Sequence, residues 1–166
     1  MNTRYRPYHP EDEQVLIPLV LDLYGDDISG KPMTEQKVRN TIAMLAAKPD
    51  LGTILIIENG DVAVGYAILI NFWSNEYGGI MLNIDELYIA PPHRGKGFAT
   101  TFVRYLTETR LNNAVALQLE VSPKNHSARR LYDNLGFTPH PNNVLTLELA
   151  SSKSAASFKS PQDLEE

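Results

Sequence analysis

Residues 87–100 read LYIAPPHRGKGFAT: an apolar run, the proline pair Pro91 and Pro92, then Gly95 and Gly97 one residue apart, alternating with the cations Arg94 and Lys96. The run has strand character and the prolines stop it, because they have no N–H with which to continue a ladder. A helix is predicted from about Phe98 to Leu111, with Ala99, Phe102, Val103 and Leu106 on one face and Asn112-Asn113 as its terminator. Strand, loop and helix in that order aim loop N–H groups and the positive end of a helix at one place, which suits a phosphate. The glycines would let backbone approach closely, and Arg94 and Lys96 could add charge-assisted contacts. By itself the stretch reads equally well as a tight turn. It is neither a Walker loop nor a dinucleotide fingerprint, since position 100 is Thr.

Upstream, TRYRPY alternates as a short strand, and Asp12 to Leu23 carries Val15, Leu16, Leu19, Val20 and Leu23 at helical spacing. GDDISGKP is a loop. Thr34 is placed to cap a second helix running to Ala47, with Val38, Ile42 and Leu45 inward and Lys48-Pro49-Asp50 as the stop. TILIIENGDVAVGYAILI is two strands joined across Asn59-Gly60, a strong hairpin signal. NFWSNEYGG is read as a loop, and IMLNIDELYIA as the strand that leads to the prolines. Downstream, VALQLEV alternates as a strand, with Val115, Leu117, Leu119 and Val121 on one side. SPKNHSARRLYDNLGF reads as a helix of about three turns, capped by Ser122, with Pro123 at its first position and Gly136 as its terminator. NNVLTLEL would close the fold as a strand with Leu145, Leu147 and Leu149 alternating. The result is an α/β (α+β) chain: one domain over residues 1–150 and a polar tail over 151–166.

At 166 residues, 43% of them hydrophobic, the chain suffices for one core and is short for two. It has no cysteine, so disulfides, thiolate metal sites and a cysteine nucleophile are excluded. The polar, acid-bearing start does not read as a signal peptide, and no run reaches the roughly 18–20 apolar residues of a membrane span. A cytoplasmic, soluble protein is expected. Charge is uneven: residues 1–90 hold 13 acids and 6 bases, residues 91–150 hold 4 acids and 7 bases. That division suits an anionic ligand on one half and a cationic one on the other. No basic stripe interleaved with aromatics points to nucleic acid, and no membrane partner is expected. His93 and His126 read as solvated, His9 and His140 as isolated, and no metal site is predicted.

Two motifs together carry more than either does alone. Arg94, Gly97 and Ala99 match [RQ]-x-x-G-x-[GA], and Asn125, Ala128, Leu131, Tyr132, Gly136 and Phe137 match N-x-x-A-x-x-L-Y-x-x-x-G-F. In this the chain resembles the GNAT superfamily of N-acetyltransferases, which use acetyl-coenzyme A. The resemblance covers about residues 50–150 firmly and the first fifty loosely. It implies a central twisted mixed sheet flanked by helices, in which the strand before the loop and the strand after its helix splay apart. It further implies that the cofactor's pantetheine arm pairs with backbone at Leu87, Tyr88 and Ile89. The pyrophosphate would lie on the amides of Gly95, Lys96, Gly97, Phe98, Ala99 and Thr100 beside Arg94, and Asn125 would face the arm. The implied activity is acetyl transfer to a primary amine of a small molecule, peptide or protein, by direct attack.

Such a transfer has two chemical needs. An alkylamine near pKa 10 must lose a proton before it attacks, and the departing thiolate benefits from a donor. Tyr132 is the candidate acid by its place in the second motif; a core tyrosine bonded to backbone is the other reading. Glu86 is the candidate base by its place on the strand, and a structural carboxylate bonding loop amides is the other reading. In NIDELYI, Glu86 alternates with Ile84 and Tyr88 while Asp85 points away. A bulge, usual in the resemblance family, would alter that parity. Backbone amides near Leu87 to Ile89 could polarise the thioester carbonyl. Acceptor selection would fall to Tyr24, Asp26, Asp27, Trp73, Glu76 and Tyr77, whose acids and aromatics suit a cationic amine. Rival readings are a catalytically silent acyl-coenzyme A sensor or assembly module and an unrelated nucleotide-phosphate binder. Monomer and homodimer both remain open.

Overall fold

A computed structural model describes residues 2–26 and 31–149. The chain divides into two units, 1–136 and 137–166. In the first, β1 (Thr3–Pro7), α1 (Glu13–Asp26), α2 (Glu35–Ala47), β2 (Gly52–Asn59), β3 (Val62–Ser74), β4 (Gly79–Ile89), α3 (Phe98–Thr109), β5 (Ala116–Leu119) and α4 (His126–Asn134) follow one another. The five strands form one sheet in chain order, with only the β4–β5 pair parallel.

α1 and α2 cover one face. Leu16, Ile17 and Val20 of α1 and Val38 and Leu45 of α2 are buried with Ile54, Ile56, Tyr66, Ile68 and Tyr88 of the sheet. Each such side chain contributes about 1.5–3 kcal/mol by leaving water. The predicted face of α1 is corrected by one column, since Val15 is exposed and Ile17 is buried. Thr34 caps α2 as read, its hydroxyl accepting from the Lys37 amide at 3.3 Å. α3 takes the opposite face, to which Tyr5, Ile57 and Leu69 point by strand alternation. It buries Phe98, Phe102, Val103 and Leu106, with Tyr5 edge-on to Phe102 at 5.2 Å. It ends at Thr109, two residues short of the expected bound, because Arg110 already adopts φ 47°.

Other boundaries move for identifiable reasons. The β2–β3 turn consists of Gly60 and Asp61, with Asn59 paired to Val62, so the hairpin sits one residue beyond Asn59-Gly60. Only Gly60 takes positive φ, +64°, the pattern of a turn with its glycine first. β3 runs through Asn71, Phe72 and Trp73 to Ser74, and only residues 75–78 form the loop. β5 is shorter than the alternating run that announced it. α4 starts at His126 with Asn125 as its cap, accepting from the Ala128 amide at 3.0 Å, so Ser122 and Pro123 lie outside the helix. Gly136 takes φ +89° just past its end, as read.

An ionic cluster with buried carboxylates ties β1 to β2 and to the residue that precedes α1. Arg6 donates through both terminal nitrogens to Asp12, at 2.6 and 2.7 Å, and through Nε to Glu58 at 2.8 Å. Arg4 donates to the other Glu58 oxygen at 2.7 Å. The Arg6 guanidinium holds the Asp12 carboxyl below its ordinary range. Burial works against ionised Glu58, but Arg4 and Arg6 outweigh it and hold that carboxyl low as well.

In the second unit, residues 137–149 form no helix or strand, and Leu145, Leu147 and Leu149 are exposed. The closing strand read from NNVLTLEL is therefore corrected: alternation defines the face a strand would bury, but a strand needs an edge to pair with. Among the described residues, no helix is long and apolar enough to cross a membrane.

Candidate active site

The site begins where the sheet comes apart. β5 pairs with Met81 to Ile84 of β4 and no further. At that point Ile68 faces Glu86 and Leu69 faces Ile84, leaving Asp85 as a bulged residue without a partner in β3. The bulge changes the parity read from NIDELYI. Ile84 lies on the α3 face with Leu69, whereas Glu86 and Tyr88 lie on the α1–α2 face with Ile68 and Tyr66. Beyond the bulge, β4 keeps β3 and has no β5 beside it. Ala90 N donates to Val64 O, so Tyr88 presents its backbone groups to β3, and Leu87 and Ile89 present theirs to the open edge. Of the three residues expected to pair with an extended ligand, two therefore have backbone groups aimed outward.

The loop follows directly. Pro91 to His93 form a single helical turn, and Gly95 and Gly97 adopt φ +73° and +83°. An added Cβ would meet nothing of the protein within 4 Å at either glycine, so the surface there is open. The first backbone bond of α3 runs from Thr101 N to Gly97 O, which leaves the amides of Phe98, Ala99 and Thr100 ahead of the helical ladder. The cations brace the loop as well as charging it. Arg94 Nε donates to Ile89 O at 2.9 Å with its guanidinium 5.1 Å from the Tyr88 ring centre, and Lys96 Nζ donates to Pro92 O at 2.9 Å. Left-handed glycines, leading helical amides and two cations on an open surface fit the pyrophosphate of a coenzyme A.

On the α1–α2 face, Glu86 is 8% exposed and accepts two hydroxyls. Tyr24 donates to Oε1 and Tyr66 to Oε2, each at 2.7 Å. The carboxylate therefore bonds tyrosines rather than loop amides. Burial pushes the Glu86 carboxyl above its ordinary value, and both hydroxyls oppose that shift. Tyr66, wholly buried and beside that charge, is pushed far up. A small cavity of about 20 Å³, room for about one water and partly open to solvent, is lined by Glu86 with Leu16, Val20, Met33, Val38, Thr41, Ile54 and Ile68. Tyr66 went unread in the sequence, where it counted as one more residue of a buried strand; its only signal was a hydroxyl inside the run VAVGYAILI.

The remaining candidates separate. Tyr132 lies in α4, and burial raises its phenol above the ordinary value. Asn125 spends its Oδ1 on the cap of the same helix. Tyr24 reaches Glu86, Asp26 is the last residue of α1, and Asp27 lies outside the described residues. Trp73, Glu76 and Tyr77 are at the β3–β4 tip. Trp73 is five residues from Ile68, the partner of Glu86, or about 17 Å along the strand. The described members of the expected acceptor set are thus divided between the middle of the sheet, where Tyr24 meets Glu86, and the β3–β4 tip.

Known proteins share this fold. A crystal structure of integron cassette protein HFX_CASS3, from the mobile metagenome of Cole Harbour Salt Marsh, superposes with a TM-score of 0.74 at 28% identity over 89% of this chain and 91% of that one. A protein of Clostridium difficile 630 described as a possible acetyltransferase superposes with a TM-score of 0.77 at 19% identity, over 91% of this chain and all of its own, which is a likeness of fold. An uncharacterized N-acetyltransferase of Bacillus subtilis strain 168, YobR, is 41% identical over 64 residues, which span 38% of this chain and 24% of that relative. The sequence profile of the Acetyltransferase (GNAT) family matches residues 18–137, a stretch that takes in Glu86, the splayed edge, the glycine loop and α4. With that match across most of the chain, the protein belongs to the GNAT acetyltransferase family.

Proposed function

We propose that the protein transfers an acetyl group from acetyl-coenzyme A to a primary amine, with Glu86 as general base and Tyr132 as general acid, in the cytoplasm. The observation that supports this most is the site of Glu86: a buried carboxylate, held by two hydroxyls, at the residue where the bulge opens β4 toward the glycine loop.

The donor, when bound, supplies a thioester carbonyl. Gly95, Lys96, Gly97, Phe98, Ala99 and Thr100 would hold its pyrophosphate through backbone N–H groups, with Arg94 and Lys96 adding charge. The open edge at Leu87 and Ile89 would pair with the pantetheine amides, and an edge N–H would take up the negative charge that develops on the carbonyl oxygen. Asn125, at the start of α4, would flank that arm. Glu86 accepts a proton from the acceptor ammonium, directly or through one water. A carboxyl raised by burial is better matched to that task than an ordinary one. Nitrogen then bonds to the carbonyl carbon and the carbon–sulfur bond breaks. Tyr132 gives its proton to the departing sulfur, the second proton leaves the newly bonded nitrogen and restores the phenol, and the proton on Glu86 is released to solvent; burial keeps the Tyr132 hydroxyl protonated at neutral pH beforehand.

The role assignments are tested by coenzyme A thiol release in the presence of a primary-amine panel. Glu86→Gln and Tyr132→Phe should each lower kcat by roughly 100-fold with little change in coenzyme A affinity. Unchanged kcat in both variants would remove these roles while leaving the family assignment in place.

A further inference from the structure

Glu86 is held asymmetrically, and the asymmetry assigns different jobs to its two partners. Oε2 accepts from Tyr66, which is 0% exposed and leans on Tyr88 across the β3–β4 pair with ring centres 6.2 Å apart. That side of the carboxylate is closed. Oε1 accepts from Tyr24, a partly buried residue in the last turn of α1, two residues before that helix ends at Asp26. Glu86 also lines the small cavity between α1, α2 and the sheet. Among the described residues, the groups facing Glu86 are the hydroxyls of Tyr24 from α1 and Tyr66 from β3, Tyr88 on the same face of β4, Asp85 beside it, and Thr41 lining the cavity from α2. No cationic side chain is among the described residues that line the cavity.

We propose that Tyr66 is the fixed positioning residue that orients Glu86, and that the Tyr24 hydroxyl stands where the acceptor nitrogen binds and gives up its place when the acceptor arrives. This rests on Glu86 acting as the base. The acceptor ammonium replaces one O–H donor with an N–H donor on Oε1, so the carboxylate is never left with a bare oxygen in a buried site. The proton then passes from that nitrogen to Oε1, and the neutral amine attacks.

The acid limb of kcat/KM reports the free enzyme, and that of kcat reports the enzyme with acceptor bound. A hydroxyl donated to an ionised carboxylate favours ionisation, so its removal moves the limb to higher pH. The test uses purified full-length protein, saturating acetyl-coenzyme A, and whichever of benzylamine, phenethylamine, putrescine and glycinamide is turned over fastest. Tyr66→Phe should move both limbs upward. Tyr24→Phe should move only the kcat/KM limb, lowering kcat/KM about tenfold at a pH on that limb, while the kcat limb stays in place. Melting curves accompany both variants; if Tyr66→Phe does not fold, the paired Tyr24→Phe profiles decide the matter. Movement of both limbs, or of neither, in Tyr24→Phe overturns the proposal, and so does a Tyr66→Phe variant that folds with both limbs unmoved. Glu86→Gln in the same assay separates the two levels: an acid limb that survives there refutes the base itself, whereas a lost limb with a contrary Tyr24→Phe result refutes only the exchange.

Discussion

Replacing Gly97 by leucine separates the ligand role of the loop from its role as a turn. Gly97 adopts φ +83°, and an added Cβ would meet nothing of the protein within 4 Å. The cost to folding is therefore backbone strain, about 1–2 kcal/mol for an L-residue in the left-handed region. In a chain of this size that lowers Tm by roughly 3–8 °C. The cost to a bound pyrophosphate is larger, because the side chain would project from the residue that leads into the first turn of α3. Loss of two charge-assisted amide contacts at about 1.5 kcal/mol each weakens Kd by more than 100-fold. Gly60 supplies the control: it has φ +64°, open space where a Cβ would stand, and a place in the β2–β3 turn. Calorimetry with coenzyme A, paired with melting curves, should show similar destabilisation in Gly97→Leu and Gly60→Leu and a lost affinity only in the first. Equal coenzyme A affinity in the two variants would refute the cradle and leave the loop a turn.

Two further outcomes follow from the framework around the site. Arg6→Ala removes the arginine partner of buried Asp12 and one of the two arginine partners of buried Glu58, and should cost about 3 kcal/mol, a Tm drop of roughly 6–12 °C at neutral pH. Asp12 and Glu58 titrate below their ordinary values of 3.8 and 4.5 in the folded chain, so the stability they contribute is present above those values and is lost as pH falls through the lower folded ones. Wild-type melting should therefore drop steeply below about pH 4.5, and Arg6→Ala should flatten that drop; a variant with the same acid slope as wild type would show that the cluster does not set it. Asn125→Ala should lower stability by about 1 kcal/mol through the lost cap of α4, whereas Asn125→Ser keeps the cap. If Asn125 also faces the pantetheine arm, the serine variant melts like wild type and still binds coenzyme A more weakly; unchanged affinity would restrict Asn125 to capping.

Much of this was legible because the informative residues are local. Thr34, Gly97 and Gly136 end or begin helices by chemistry confined to one turn, and each sits where that chemistry requires. The bulge at Asp85 was expected only through resemblance: the adjacent acids Asp85 and Glu86 interrupt the alternation of NIDELYI without showing where the pairing shifts, and the shift becomes visible once β3 is laid beside it. Tyr66 and the Arg6 cluster were not legible for a related reason. Tyr66 is 20 positions from Glu86, and Arg6 is 52 from Glu58, so each pairing is a property of the sheet register and not of a short window of sequence. The closing strand failed in the opposite direction, because an alternating pattern is local but its partner edge is not.

The central claim is acetyl transfer to nitrogen, and it is tested most directly by incubating the wild-type protein with acetyl-coenzyme A and a panel of primary amines. Thiol release is followed together with the mass of the amine. The account predicts amine-dependent thiol release with one acetyl group gained by an amine of the panel. Tight coenzyme A binding with no amine acetylated, and no thiol released beyond that of the protein-free control, would contradict it and favour an acyl-coenzyme A-binding module.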